Sequence, residues 1–238
     1  DLRIHWMIAD ENLDDDLRNH VWKGHYLARI EDGPMLSRVV ADVMMRVPYD
    51  REFAFKIDPD GRVINDLVHF FAPYQRESWA LFYDSSRIDS IENLALFQYE
   101  RVAVEIDSLP DFYLSGAFRG RLRDNVEHYS STAEAVDGML ENRVAAVMGM
   151  RAQLQWKLAG DGYNGDGNNN ARYRAADVPF PNLLKRHWDV GMAVKDNHRQ
   201  LAYALEDVID GLYQQGEMAP LFQGYGVSYQ VPGRYLEQ

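Results

Sequence analysis

Seven histidines (His5, His20, His25, His69, His128, His187 and His198) carry the metal-binding potential of this sequence, and their spacing withholds it. No His-x-x-x-His or His-Glu-x-x-His pattern sets two imidazoles on one helix face, as a catalytic zinc requires. Cysteine is absent, which removes thiol nucleophiles, thiolate metal sites and disulfides together. The Asp- and Asn-rich stretch 161–170 offers oxygens to calcium. It lacks the distal bidentate Glu of a calcium loop and reads as a mobile surface loop. No Gly-x-Ser-x-Gly elbow, phosphate loop or dinucleotide fingerprint occurs, so no cofactor is expected.

The elements that must position any site come from a chain of 238 residues, 46% hydrophobic and 26% charged. That is enough for one large domain or two small ones with real cores. A net charge of −12 without a basic cluster argues against nucleic acid, whose phosphates need a basic footprint. No run approaches the roughly 18 apolar residues of a membrane helix, and Asp1-Leu2-Arg3-Ile4 has no signal-peptide pattern.

Periodicity predicts a strand over 2–9 and a helix over 14–26, with Leu13, Leu17 and Val21 four apart. A strand follows over 39–47, ended by Pro48, then a turn at Asp58-Pro59-Asp60-Gly61. Two apolar runs, 67–71 and 79–83, bracket Ala72-Pro73-Tyr74-Gln75-Arg76-Glu77, and a short helix is expected over 90–97. Then come a strand over 102–106, a helix over 110–118 capped by Ser108, and a strand over 126–129. Ser131 with Glu134 forms a capping box, and the continuous apolar run 144–148 suits a strand buried on both faces. The chain ends in a strand over 189–194 and an amphipathic helix with Leu201, Leu205, Val208, Ile209 and Leu212 on one face. Asn197 and Gln200 suggest its start and Gly216 its stop. Alternating strands and helices argue α/β with mostly parallel sheets.

Four segments, in order, resemble the family 3 extracellular solute-binding proteins. They are Ala41-Asp42-Val43-Met44-Met45; Phe71-Ala72-Pro73-Tyr74 with Trp79-Ala80-Leu81-Phe82; Asn142-Arg143-Val144-Ala145-Ala146-Val147; and the ending from Asp189 through Leu221-Phe222-Gln223-Gly224-Tyr225-Gly226-Val227. The resemblance implies the type II periplasmic binding protein fold, two α/β lobes that close on a ligand by a hinge. Lobe 1 would be 1–99 and 192–238, and lobe 2 would be 100–191. The strand-helix unit that opens lobe 1 in the family is expected to be absent from this chain. Amino-acid-binding members place an Arg where Trp79 stands, a Ser at Ala72 and often an acid at Met150. A zwitterion would lose its usual partners here, and an unpaired buried charge is strongly disfavoured.

The ligand-binding residues this implies are Arg46, Tyr74, Arg76, Glu77, Trp79, Ser108 and Met150. Tyr74 and Trp79 read as stacking walls with Arg76 as an anion partner, or as aromatic core beside a surface Arg–Glu pair. Arg46 reads equally as an anion partner or a solvated charge, and Ser108 as a ligand donor or only a cap. Trp22-Lys23-Gly24-His25-Tyr26 reads as simple helix termination.

The resemblance implies a periplasmic, non-enzymatic solute-binding protein of an ABC-type uptake system. It would hold a small organic ligand, not a standard amino acid, in an interlobe cleft and deliver it to a permease. Two alternatives stand beside it. One is an accessory protein of a periplasmic quinoprotein dehydrogenase. The other is a dehydratase-like enzyme using Glu77 or Glu105, although neither acid has a second catalytic group at suitable spacing.

Overall fold

The computed structural model describes residues 2–6, 13–26, 38–161 and 172–236. The chain divides into two compact units. Unit 1 is Asp1–Gln75, Asp189–Gln215 and Val231–Gln238; unit 2 is Arg76–Trp188 and Gly216–Gln230. The chain passes between the units at Gln75/Arg76, Trp188/Asp189, Gln215/Gly216 and Gln230/Val231.

Unit 1 opens with helix α1 (Leu13–Leu17), which runs on as a π turn over Arg18–Trp22. Leu17 and Val21 are fully buried, as their spacing predicts. Short strands β1 (His25–Tyr26) and β2 (Arg38–Val39) pair antiparallel. Strand β3 (Met44–Pro48) is separate from β2, so the expected strand over 39–47 is split. Asp50 caps helix α2 (Arg51–Ala54), its Oδ1 accepting from the amides of Glu52 and Phe53 at 2.8 and 3.1 Å. The predicted turn follows, with Asp58 Oδ1 accepting from the amides of Asp60 and Arg62 and Gly61 at φ 80°. Residues 2–6 carry no regular element, with Leu2, Ile4 and Trp6 exposed, which corrects the strand expected there. Its remainder, 7–9, and most of the loop expected over 160–170 lie outside the described residues.

The apolar runs 67–71 and 79–83 are one strand, β4 (Val68–Asp84), whose first part belongs to unit 1 and second to unit 2. The polar segment between them stays in the strand because Gln75 and Glu77 are themselves buried and partnered. The short helix expected over 90–97 is a 3-10 turn over Leu94–Gln98, capped by Asn93.

Unit 2 is a mixed sheet faced by helices. Strand β5 (Val102–Glu105) leads into α3 (Leu109–Gly120), β6 (Val126–Tyr129) into α4 (Thr132–Leu140), and β7 (Ala146–Met150) into α5 (Arg151–Ala159). Strand β8 (Tyr173–Ala175) pairs antiparallel with β4. β5 lies parallel to both β6 and β7, and β7 lies antiparallel to β4, with Trp79 opposite Met150. The apolar run 144–148 is buried throughout, as a central strand covered on both faces requires. Leu81, Phe97, Val104, Leu114 and Met148 fill one face; Phe82, Val136, Met139, Val147 and Leu154 fill the other.

Strand β9 (His187–Lys195) returns the chain to unit 1 between β3 and β4. A Cβ on Gly191 would stand 2.8 Å from the Phe71 carbonyl oxygen and 3.3 Å from Tyr49 Cβ. Gly191→Ala is therefore expected to cost about 1–3 kcal/mol in a urea melt. An unchanged melt would mean these strands have room to spare. Helix α6 (Arg199–Gln214) ends at Gly216, φ 72°, as expected. Its start is not the Asn197–Gln200 box: His198 is the cap residue without a side-chain bond, and Arg199 instead reaches back to Asp196. Only Ala202 of α6 is buried, whereas Leu201 and Val208 of the expected core face are exposed. Helix α7 (Met218–Gln223) lies in the unit 2 portion.

Candidate functional site

Three parallel strands deliver their carboxyl ends, and three helix N-termini, to one edge of the unit 2 sheet. In α/β proteins ligands bind at such edges, because strand ends leave the helix amides open. β4 runs antiparallel to β7, so its early residues Arg76, Glu77 and Trp79 come to the same edge. Within this unit the structure therefore brings together five sequence candidates: Arg76, Glu77, Trp79, Ser108 and Met150.

Trp79 and Met150 are direct cross-strand partners, each half-buried. The Trp79 indole packs on Trp188, centroids 4.9 Å apart at 50°. Its Nε1 is buried with no acceptor among the described residues, a donor that burial leaves costly without a partner. Trp188 had no local signal marking it; only the return of β9 places it here.

Glu77 is 3% exposed, so the surface Arg–Glu pair read from the sequence is corrected. Its partner is Arg151, on the first turn of α5, with Nε 3.7 Å from Glu77 Oε1. Both Glu77 oxygens lie 3.3 Å from the Ala152 amide. The carboxylate thus caps a helix whose own cap residue, Met150, has no side-chain acceptor. Arg151 Nη1 donates to the Ser228 carbonyl at 2.6 Å and to Gln155 Oε1 at 2.8 Å, and Nη2 donates to the Arg76 carbonyl at 3.3 Å. Gln155 in turn accepts from the Ser228 amide at 3.0 Å. Arg151, Gln155 and Ser228 form a buried polar clamp that sequence reasoning missed, since nothing local links residues so far apart.

Ser108 caps α3, its hydroxyl accepting from the Asp111 amide at 3.3 Å and donating to the Glu105 carbonyl at 2.6 Å. Its one donor hydrogen is spent inside the fold. Glu105, one of the two acids named for the dehydratase alternative, is half-buried. Its Oε2 accepts from the Thr132 amide at 2.9 Å and from the Thr132 hydroxyl at 2.6 Å. Asp111 accepts from the Asp107 amide at 3.0 Å and contacts His128 Nε2 at 2.9 Å.

In unit 1, Arg46 sits exposed at a bulge in β3 with φ 64°, and its amide donates to the Tyr74 hydroxyl at 3.2 Å. Ala72, two residues before Tyr74, is fully buried at φ 45°. Left-handed backbone at non-glycine residues costs of order 1–3 kcal/mol each and is concentrated at functional sites. Tyr74 joins these two strained positions.

An open groove of about 770 Å³ lies at the other end of α5, lined by Trp156, Lys157, Gln223 and Tyr225 among others. Its cation, Lys157, already pairs with Asp137 at 2.8 Å. No group of three or more His, Asp or Glu could hold a metal among the described residues, and no helix there is long and apolar enough to cross a membrane.

No family model matches the chain, and no curated protein matches it. Solved structures do. An amino acid ABC transporter substrate-binding protein from Streptococcus pneumoniae, bound to L-arginine, is similar over 80% of this chain and 70% of that chain, at 15% identity and a TM-score of 0.54. An ancestral cationic amino acid solute binding protein is similar over 73% of this chain and 67% of that chain, at 15% identity and a TM-score of 0.51. At these identities the likeness speaks for architecture, and the chain carries the α/β fold of the ABC-transporter substrate-binding proteins that the sequence resemblance implied.

Proposed function

We propose that the chain is a solute-binding protein that holds a small organic molecule, not a standard amino acid, and releases it unchanged. The observation that carries the proposal is the Trp79–Met150 pair at the strand ends of unit 2. The resemblance puts the Arg and the acid that grip an amino acid at these two places. Here both are apolar and face each other, a surface suited to stacking and not to a zwitterion.

The same geometry weakens the dehydratase alternative. Glu77 is held by Arg151 and the Ala152 amide, and Glu105 by Thr132, so neither acid is placed to shuttle a proton. In this reading the protein works in the periplasm and passes its solute to the permease of an uptake system. The accessory alternative, docking on a periplasmic dehydrogenase, draws support from α6, whose Leu201, Tyr203 and Val208 are exposed. Pull-down from periplasm separates the two by the partner recovered.

Thermal shift of the full chain against a solute panel tests the reading. A bound solute at a hundred times its Kd stabilises by about 2.7 kcal/mol. The expected result is no shift with standard amino acids and a clear shift with at least one other metabolite, recovered chemically intact. Micromolar binding of L-arginine or another standard amino acid, or conversion of the solute, would overturn it.

A further inference from the structure

We infer that the far end of α3 in unit 2 is a docking surface for an acidic partner protein, with Phe118 as its apolar anchor and Arg119, Arg121 and Arg123 as its charged rim. The inference goes beyond the solute-binding reading and does not rest on it, since Ser108 and the strand ends lie at the opposite end of α3.

The three arginines stand within five residues, a local basic run that the reading of an unbroken acidic chain passed over. All three are exposed, and no ion pair or side-chain hydrogen bond engages them among the described residues. From residue 112 to residue 126 the only acid is the exposed Asp124, so the run keeps a net positive charge. The flanking acids Asp111 and Glu127 are already met by His128 Nε2 and Arg101, at 2.9 and 2.8 Å. A helix C-terminus accommodates a cation, which accounts for arginine here but not for the residue before it.

Phe118 sits at φ 51° and Arg119 at φ 64°, followed by Gly120 at φ 80°. Such backbone suits glycine; in a bulky aromatic residue it is strained, and stability alone would not retain it. The ring does not serve the core in return. Phe118 is 47% exposed, whereas Leu122 is fully buried. The turn beneath is fixed: Leu122 packs in the cluster that holds Phe97 and Leu114, and Asn125 Nδ2 donates to the Phe97 carbonyl at 3.0 Å. Strain held on a firm support, displaying an aromatic ring beside unpaired cations, is the pattern of a functional surface. Aromatic residues and arginine are also the types that anchor protein interfaces.

The charge pattern selects the partner. A second copy meeting through the same face would set arginine against arginine. Three cations fall short of the roughly four to eight that hold an anionic membrane, and of the longer footprint of nucleic acid. An acidic protein surface with an apolar depression for Phe118 matches both features. Salt screens charges beyond about 8–10 Å, so at contact the local arginines outweigh the distant acids of the chain.

Photo-crosslinking tests this on the full chain in the cells that make it, with p-benzoylphenylalanine replacing Phe118. The expected adduct joins one other protein through an acid-rich segment. With that protein purified, Arg121→Glu is expected to weaken the pair by about tenfold or more, and wild-type binding is expected to weaken as salt rises. Phe118→Gly is expected to weaken the pair similarly while melting at or above the wild type, because it relieves the strained backbone. An adduct with a second copy, lipid or nucleic acid overturns the assignment. So do no adduct at all, a pair indifferent to Arg121→Glu, and a lower melting temperature for Phe118→Gly. Failure of every solute in the thermal-shift panel would remove the solute-binding reading and leave this one standing.

Discussion

Replacing Arg151 with Met is expected to destabilise the fold by about 3–5 kcal/mol, the cost of leaving a buried carboxylate without its cation. Glu77 is 3% exposed and Arg151 is 7% exposed, so water cannot take over either role. The guanidinium also satisfies the carbonyls of Ser228 and Arg76, which come from separate stretches of chain. Met matches the length of the aliphatic stem and keeps the packing, so the loss reports the polar network and not a cavity. Glu77→Gln in the Arg151→Met background removes the stranded charge and should recover a large part of the loss. Urea denaturation of the two single variants and the double variant forms the cycle. A loss under about 1 kcal/mol, the size of an exposed pair, would show that Glu77 is hydrated and that the clamp is ornamental.

The second large effect belongs to Asp84 at the end of β4, fully buried. Its carboxylate accepts from Arg172 Nε and Nη2 at 3.0 and 2.6 Å, and from the Ser86 amide and hydroxyl at 2.9 and 2.6 Å. Burial opposes its charge, but the bonds from Arg172 and Ser86 outweigh burial and hold the carboxyl below the ordinary Asp range. The sign follows by linkage. The unfolded chain takes up the proton first, near pH 3.9, so the stabilisation is full above about that value and is lost as pH falls below it. Asp84→Ala is expected to cost about 2–4 kcal/mol at neutral pH, given about 1.5–3 kcal/mol for a hydrogen bond to a charged group. Asp84→Asn should cost less and flatten the acid limb between about pH 5 and pH 2. Equal acid sensitivity in wild type and Asp84→Asn would remove this residue from the account.

Local chemistry made much of unit 2 legible. Ser131 and Glu134 marked the start of α4, Ser108 that of α3, and the apolar run 144–148 a strand covered on both faces. Each of these signals lies within a few residues of its consequence. Unit 1 was harder. The strand expected over 2–9 has no regular structure in its described part, and the apolar stripe of α6 predicted a buried face that only Ala202 achieves. A stripe gives the direction in which a helix would bury; it does not supply the neighbour.

The candidate site divides the same way. Tyr74, Arg76, Glu77 and Trp79 stand out by residue type, but their partners do not. Glu77 left the surface for Arg151, and Ser108 spent its hydroxyl on Glu105. Arg151, Gln155, Ser228 and Trp188 carried no signal at all. Sequence alone determined the α/β alternation, the starts of α3 and α4 and the lack of thiol chemistry, because these depend on composition and on contacts a turn or two apart. The tertiary structure decided that Trp79 faces Met150 and that strand carboxylates cap α4 and α5. Those contacts depend on strand register, and no short stretch of chain encodes which distant residue arrives across a sheet.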